Sequence, residues 1–331
     1  MWFFRIHIPD RPAIRLRPWY ALVAWGVMAV GTMIMANATM LVQMTGKSGF
    51  IAALDQSGGS TPGALRAYGV PDGAYGNDAE MFKLIHEMRV RIITAPSFTG
   101  EKVIAAILFE ATMDSEARGE PVPSFLWKRG VVPFLKVDKG LEAEADGVSL
   151  MKLIPGLDAL LPRAVKLGVF GTKMRSVVNM PSREGIAAVV AQQVDVAKQI
   201  STQGLMPIIE PEVSIKSPDK AGAEAILLAE LTKQLDTLPD RNRVMLKLTI
   251  PDVPDLYSPL IAHKHVARVV ALSGGYERDD ACRRLAANHG MIASFSRALT
   301  EGLTRSMSNA AFDETLARAI DEIYQASTVK H

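Results

Sequence analysis

Four short apolar stretches carry charged side chains where a buried strand would be expected. Residues 134–138 read Phe-Leu-Lys-Val-Asp and set Lys136 and Asp138 two apart. Residues 171–175 read Gly-Thr-Lys-Met-Arg and do the same for Lys173 and Arg175, while 209–212 pair Glu210 with Glu212. Lys247 stands among apolar neighbours at 245–249. A period of two puts each pair on one strand face. Burying one charge costs several kcal/mol unless partners offset it, so charges at corresponding positions of several strands must face one another. The result is a pocket of three lysines, one arginine and several carboxylates. Three strand lysines favour imine chemistry through an amine; the plainer reading is a network of buried ion pairs. Metal chemistry has less behind it: His7, His86, His263, His265, His289 and His331 form no familiar ligand motif. His263 and His265 read as loop residues rather than zinc ligands.

Such a pocket needs elements that converge. Strand-type runs are predicted at 49–55, 90–95, 131–137, 170–177, 205–213, 244–250, 266–272 and 291–295. Helices are predicted at 77–88, 103–114, 158–167, 182–202, 221–235, 278–289 and 309–326. Ser182 suits an N-cap, and Pro218 and Asp219 suit the start of the next helix. Eight strands alternating with helices imply an α/β fold, a (β/α)8 TIM barrel, in which strand C-termini meet at one polar rim.

The chain has 331 residues, 48% hydrophobic and 22% charged, which suits a single barrel domain with additions. Its net charge of +2 supplies no basic field for nucleic acid. One cysteine, Cys282, excludes an intrachain disulfide and fits a reducing compartment. Residues 1–45 differ from the rest: Arg5, Arg11, Arg15 and Arg17 precede an uncharged run from Trp19 to about Met44. This N-terminal apolar extension reads as a mis-set start, as a membrane or targeting segment, or as an apolar helix packed on the barrel. Residues 46–331 are expected to form the barrel domain, with no membrane contact of its own.

The motifs together resemble the class I, Schiff-base fructose-bisphosphate aldolases, in their bacterial branch, over roughly 46–325. The resemblance is carried by 49–60 (GFIAALDQSGGS), Lys136-Val137-Asp138-Lys139-Gly140, Lys173-Met174-Arg175, Ile209-Glu210-Pro211-Glu212, Leu246-Lys247, Leu272-Ser273-Gly274-Gly275 and 295–299 (FSRAL). It implies reversible cleavage of D-fructose 1,6-bisphosphate into dihydroxyacetone phosphate and D-glyceraldehyde 3-phosphate, without a cofactor or metal, through a covalent imine on Lys247. Glu210 is then the main acid/base, on condition that its pKa is drawn toward neutrality. Glu212 is a second carboxylate near the lysine, and Asp55 handles the hydroxyl beside the broken bond. Lys173 supplies positive charge that keeps the Lys247 amine reactive. Lys136 supports the carboxylate network and substrate oxygens, and Arg175 stands close to Lys173 in the substrate-binding pocket. Ser57 and Ser60 resemble a family substrate segment. Ser273, Gly274, Gly275, Ser296 and Arg297 would receive phosphate after the last two strands, with Arg297 the leading side chain. Family likeness also implies phosphorylated ketose and triose as partners, a homo-oligomer and a cytoplasmic location.

Two departures matter. Gln56 stands where animal members carry Glu, and the chain ends Ser-Thr-Val-Lys-His with no terminal Tyr to assist late proton transfer. The rival readings are another Schiff-base phosphosugar lyase or transaldolase-like enzyme, and a non-catalytic sugar-phosphate binding protein.

Overall fold

The structure is a computed structural model that describes residues 37–331. Most of the expected extension, residues 1–36, lies outside the described residues. Eight parallel strands close on themselves: β1 (Phe50–Leu54), β2 (Val103–Leu108), β3 (Val132–Lys136), β4 (Gly171–Val178), β5 (Met206–Val213), β6 (Val244–Thr249), β7 (Val266–Leu272) and β8 (Ile292–Phe295). Pairing of β3 with β4 and of β1 with β8 completes the ring. The principal helices are α1 (Asp78–Thr94), α2 (Leu157–Lys166), α3 (Arg183–Thr202), α4 (Lys220–Leu235), α5 (Arg278–Ala286) and α6 (Asn309–Thr328). Short additions sit on this frame: an antiparallel pair formed by Glu116–Ala117 and Glu120–Pro121, and a strand Val148–Ser149 against the end of β4.

Strand count and order follow the sequence reading, but the second strand does not lie at 90–95. Those residues finish α1, and the run expected as a helix at 103–114 opens with β2. The reason is physical. Asn77 caps α1 by accepting from the Glu80 amide at 3.0 Å, and Met81, Ile85, Met88 and Ile92 bury one helical stripe, so the β-branched end is carried along in the helix. Val103–Leu108 is buried at every position and offers no alternation to mark it as a strand. Elsewhere the cap signals hold: Ser182 Oγ accepts from the Gly185 amide at 3.1 Å, and Asp219 accepts from Gly222 at 2.9 Å.

Strand parity divides the core in two. Phe50, Ala52 and Leu54 of β1, with Leu246 and Leu248 of β6, face outward to the helices. Ile51, Ala53, Ile107, Phe134, Ile208, Met245, Val270 and Ile292 fill the barrel interior. Residues 40–46 are helical, and Met40 and Met44 join this interior cluster. Gln43 Nε2 donates to the Ile104 and Gly130 carbonyls at 2.8 and 2.7 Å, which holds the helix to the strand ends. A fully buried Met contributes about 1.5–3 kcal/mol, so apolar residues that read as part of a span serve here as a plug. Among the described residues, no helix is long and apolar enough to cross a membrane.

Candidate active site

The polar site grows directly out of the apolar floor. On each inward face the residue after the last floor side chain is the charged one: Asp55 after Ala53, Lys136 after Phe134, Glu210 after Ile208 and Lys247 after Met245. Lys173 occupies the matching height on β4, where the ladder sets it opposite Lys136. Parallel strands with common tilt therefore deliver five charges to one layer.

These groups form a continuous ion network. Lys247 Nζ lies 2.9 Å from Glu210 Oε1, and Lys173 Nζ lies 3.0 Å from Oε2 of the same carboxylate. Lys173 also bonds Asp55 Oδ2 at 2.6 Å and approaches Asp138 Oδ2 at 3.8 Å. Lys136 closes the chain through Asp138, bonding its carboxylate at 2.5 Å and its carbonyl at 2.9 Å. Lys173, Glu210 and Lys247 are 2%, 3% and 4% exposed, so each charge depends on the others rather than on water.

The electrostatics correct one expectation. Burial alone would raise the Glu210 pKa, but the Lys173 and Lys247 charges prevail and hold it below the usual carboxylate range. Asp55 follows the same pattern: burial pushes up, Lys173 and then Lys247 pull further down, and the group lies well below its ordinary value. Glu210 is thus an ionised acceptor in the resting site, not a carboxylic acid tuned toward neutrality. Lys173 is pushed the other way, since the Asp55, Glu210 and Asp138 charges outweigh burial and raise its pKa. For Lys136, burial and then the Lys173 charge lower the pKa against the pull of Asp138.

Glu212 shares the face of Glu210 but bonds Arg175 Nε, at 2.5 Å, instead of a lysine. Two residues along a strand are about 6.6 Å, so Glu212 stands one layer nearer the rim. Burial would lower the Arg175 pKa, yet Glu212 reverses this and raises it. Ser57 and Ser60 bond one another within a turn, with the Ser57 amide donating to Ser60 Oγ at 3.2 Å.

On the opposite side of the rim the β7 and β8 segments converge. Gly274 and Gly275 have φ of +62° and +122°, conformations that favour glycine. A Cβ on Gly275 would stand 3.2 Å from Arg297 Nη2, which places the guanidinium against the Ser273-Gly274-Gly275 turn. Arg297 is exposed, and its guanidinium makes no ion pair or hydrogen bond among the described residues. Ser296 Oγ accepts from Gln56 Nε2 at 2.8 Å and so joins this segment to the end of β1. Gly275→Ala is expected to raise KM for the bisphosphate that the family resemblance implies about tenfold, by straining the turn and displacing Arg297. Steady-state kinetics would reveal it, and an unchanged KM would separate the turn from phosphate binding.

Three participants escaped the sequence reading. Asp138 was visible in step with Lys136 but received no role. Gln193 of α3 is fully buried, and its Oε1 accepts from the Glu210 amide at 2.8 Å, which fixes that strand from behind. Its only signal was a polar residue on an apolar helix face. Arg89 of α1 donates to the Gln56 carbonyl. His263 and His265 have other partners: His263 Nε2 meets Asp236 at 3.1 Å and His265 Nδ1 meets the Asn242 carbonyl at 2.8 Å, while His7 lies outside the described residues. Among the described residues, no group of three or more His, Cys, Asp or Glu is arranged to hold a metal ion.

The chain is 55% identical over 292 residues to a protein from Synechocystis sp. described as fructose-bisphosphate aldolase class 1, with 88% of this chain and 97% of that protein covered. A solved fructose-bisphosphate aldolase from Plasmodium falciparum, in a ternary complex with TRAP and a small-molecule inhibitor, superposes with a TM-score of 0.71. That match covers 91% of this chain and 96% of the other at 20% identity, so it speaks for the barrel fold. The family model described as "Fructose-bisphosphate aldolase class-I" matches residues 36–244, and with the relative from Synechocystis it shows that this chain belongs to the class I fructose-bisphosphate aldolases.

Proposed function

We propose that this chain carries out the reversible cleavage of D-fructose 1,6-bisphosphate to dihydroxyacetone phosphate and D-glyceraldehyde 3-phosphate through an imine on Lys247. The observation that carries the lysine assignment is the single carboxylate shared by Lys247 and Lys173, at 2.9 and 3.0 Å. Glu210, ionised at rest, takes a proton from the Lys247 ammonium as the ketone arrives. The neutral amine attacks the carbonyl carbon, and as the C–N bond forms the C=O π pair moves to oxygen, which takes one of the nitrogen's two protons to give a carbinolamine. The protonated Glu210 then returns its proton to the carbinolamine hydroxyl, which leaves as water, and the nitrogen keeps one proton as an iminium. Asp55, held ionised by Lys173, removes the proton of the hydroxyl beside the scissile carbon-carbon bond. Those electrons form the aldehyde, while the bonding pair of the broken bond flows into the iminium to give an enamine.

Lys173 remains a cation throughout, fixing Asp55 and Glu210 at the spacing this transfer needs. Arg297 and the Ser273-Gly274-Gly275 turn receive one phosphate. Arg175, on the rim across from them, is the group for the far end of the substrate, in exchange with Glu212.

Incubation with dihydroxyacetone phosphate, reduction with borohydride and peptide mass spectrometry test the central assignment. A substrate-dependent adduct on Lys247 is expected, and its absence would sink the covalent role. Glu210→Gln keeps the shape but neither accepts nor returns a proton, so kcat should fall by about 10²–10⁴. Adduct formation should slow in parallel; a normal trapping rate would move the dehydration step to another acid.

A further inference from the structure

Arg89 heads the largest fully buried side chains, at 1% exposure on α1. No carboxylate among the described residues lies within ion-pair distance of it. Nη1 donates to Thr112 Oγ1 at 3.1 Å, Nη2 donates to the Gln56 carbonyl, and Nε has no partner. The Phe109 ring centroid is 5.7 Å from its guanidinium carbon. Burial lowers its pKa to about 10, with only the more distant Asp55 charge opposing. His86, one turn earlier, gives no counter-charge. A buried cation among neutral partners is costly, and an apolar side chain of like volume would pack the same space with less penalty. Stability alone therefore gives no reason for an arginine.

Its acceptors suggest the reason. Gln56 directly follows Asp55, and Thr112 follows β2, so the fork spans the ends of two adjacent strands. A planar guanidinium can hold two separate acceptors at once, which a lysine cannot do in the same geometry. From Gln56 the connection continues: its side chain donates to Ser296 Oγ, immediately before Arg297. The hydrogen bonds thus run from the back of the barrel, past the Asp55 strand end, to the segment expected to hold phosphate.

We propose that Arg89 is a positioning residue that acts through Gln56, fixing its carbonyl so that its side chain aims at Ser296 and ties the Asp55 strand end to the phosphate segment after β8. This rests on the reading that Arg297 and its turn receive a substrate phosphate. Loss of the fork lets the β1 and β8 ends drift apart, so substrate binding suffers before chemistry does.

The test is a cycle of Arg89→Met, Gln56→Leu and the double variant, with Arg89→Lys alongside, followed by cleavage kinetics and thermal unfolding. KM should rise about tenfold in each single variant and no further in the double, because both cut one connection. The kcat per borohydride-trapped site should hold, and Arg89→Lys should fall between wild type and Arg89→Met. A purely structural role would lower Tm and the trapped fraction while leaving KM alone. A folded Arg89→Met enzyme with unchanged KM, or KM effects that multiply in the double variant, would overturn the proposal. Should Arg89→Met fail to fold, Arg89→Lys completes the same cycle with Gln56→Leu, since it keeps the charge and loses the fork. The outcome is separable from the imine assignment: wild-type enzyme with no adduct on Lys247 removes that assignment, while the KM cycle still reads Arg89.

Discussion

Lys247→Met should abolish the borohydride-trapped adduct and lower kcat/KM on the order of 10⁴-fold or more, the loss expected from removing the group proposed to form the covalent intermediate. The variant should still fold. Methionine is close in volume to the lysine stem, and Glu210 keeps its ion pair with Lys173 at 3.0 Å, so its charge stays compensated. Circular dichroism and Tm near wild type, together with lost activity, are the expected pair of results. The choice among three lysines follows from their partners. Lys173 bonds two carboxylates and approaches a third, and those charges raise its pKa, so it is the lysine least able to give up a proton. Lys136 is the serious rival, because burial and Lys173 lower its pKa. It is nevertheless turned back onto Asp138, with both the carboxylate and the carbonyl of that residue as acceptors. Among the described residues Lys247 pairs with Glu210 and with no other carboxylate, and Lys173 holds the second oxygen of that group, so Glu210 is placed to take and return a proton at Lys247. An adduct on Lys136 in the Lys247→Met enzyme, with activity retained, would move the imine to β3.

What could be read in advance was direction around the barrel; what could not was height and environment. The two-residue period told that Lys173, Glu210 and Lys247 face inward, because parity is a property of the strand itself. It could not tell that Glu212, of the same parity, sits one layer higher and belongs to Arg175, since height depends on how neighbouring strands are staggered. The misplaced second strand has a related cause. The Val-Arg-Ile-Ile-Thr end of α1 has strand-like residues, and Val103–Leu108 has the alanines of a helix, so local preference pointed the wrong way at both and tertiary burial decided. Gln193 and Arg89 act from helices behind the strands, where one polar residue on an apolar face has no pattern around it. The protonation of Glu210 was beyond reach for another reason: it rests on two lysines about 3 Å away, a relation no spacing along the chain encodes. Met40 and Met44 show the same limit at the other end of the barrel, where an apolar run reads alike as a membrane span and as a plug.

Lys173→Met is expected to destabilise the enzyme by about 3–5 kcal/mol, because it removes the cation between buried carboxylates and leaves their charges uncompensated. Asp55 loses its 2.6 Å partner and Glu210 one of two. The pH dependence gives the prediction a second edge. Asp55 and Glu210 are carboxylates with depressed folded-state pKa values, so their contribution is present above the unfolded carboxylate range and is lost as pH falls through the folded values. Lys173 has a raised pKa, so its contribution is complete below the ordinary lysine range and is lost only as pH climbs through the folded value. Between those limits Asp55, Glu210 and Lys173 are all charged, and the wild-type stability from these three groups should be flat. Without Lys173, burial is opposed chiefly by Lys247, the folded-state pKa values of Asp55 and Glu210 rise, and the acid-unfolding midpoint should move to higher pH. Urea titrations at neutral pH and an acid titration followed by circular dichroism measure both effects. A variant as stable as wild type, with the same acid midpoint, would show that water or a rearranged Lys136 replaces the lost charge, and Lys173 would then be a spectator to the network rather than its centre.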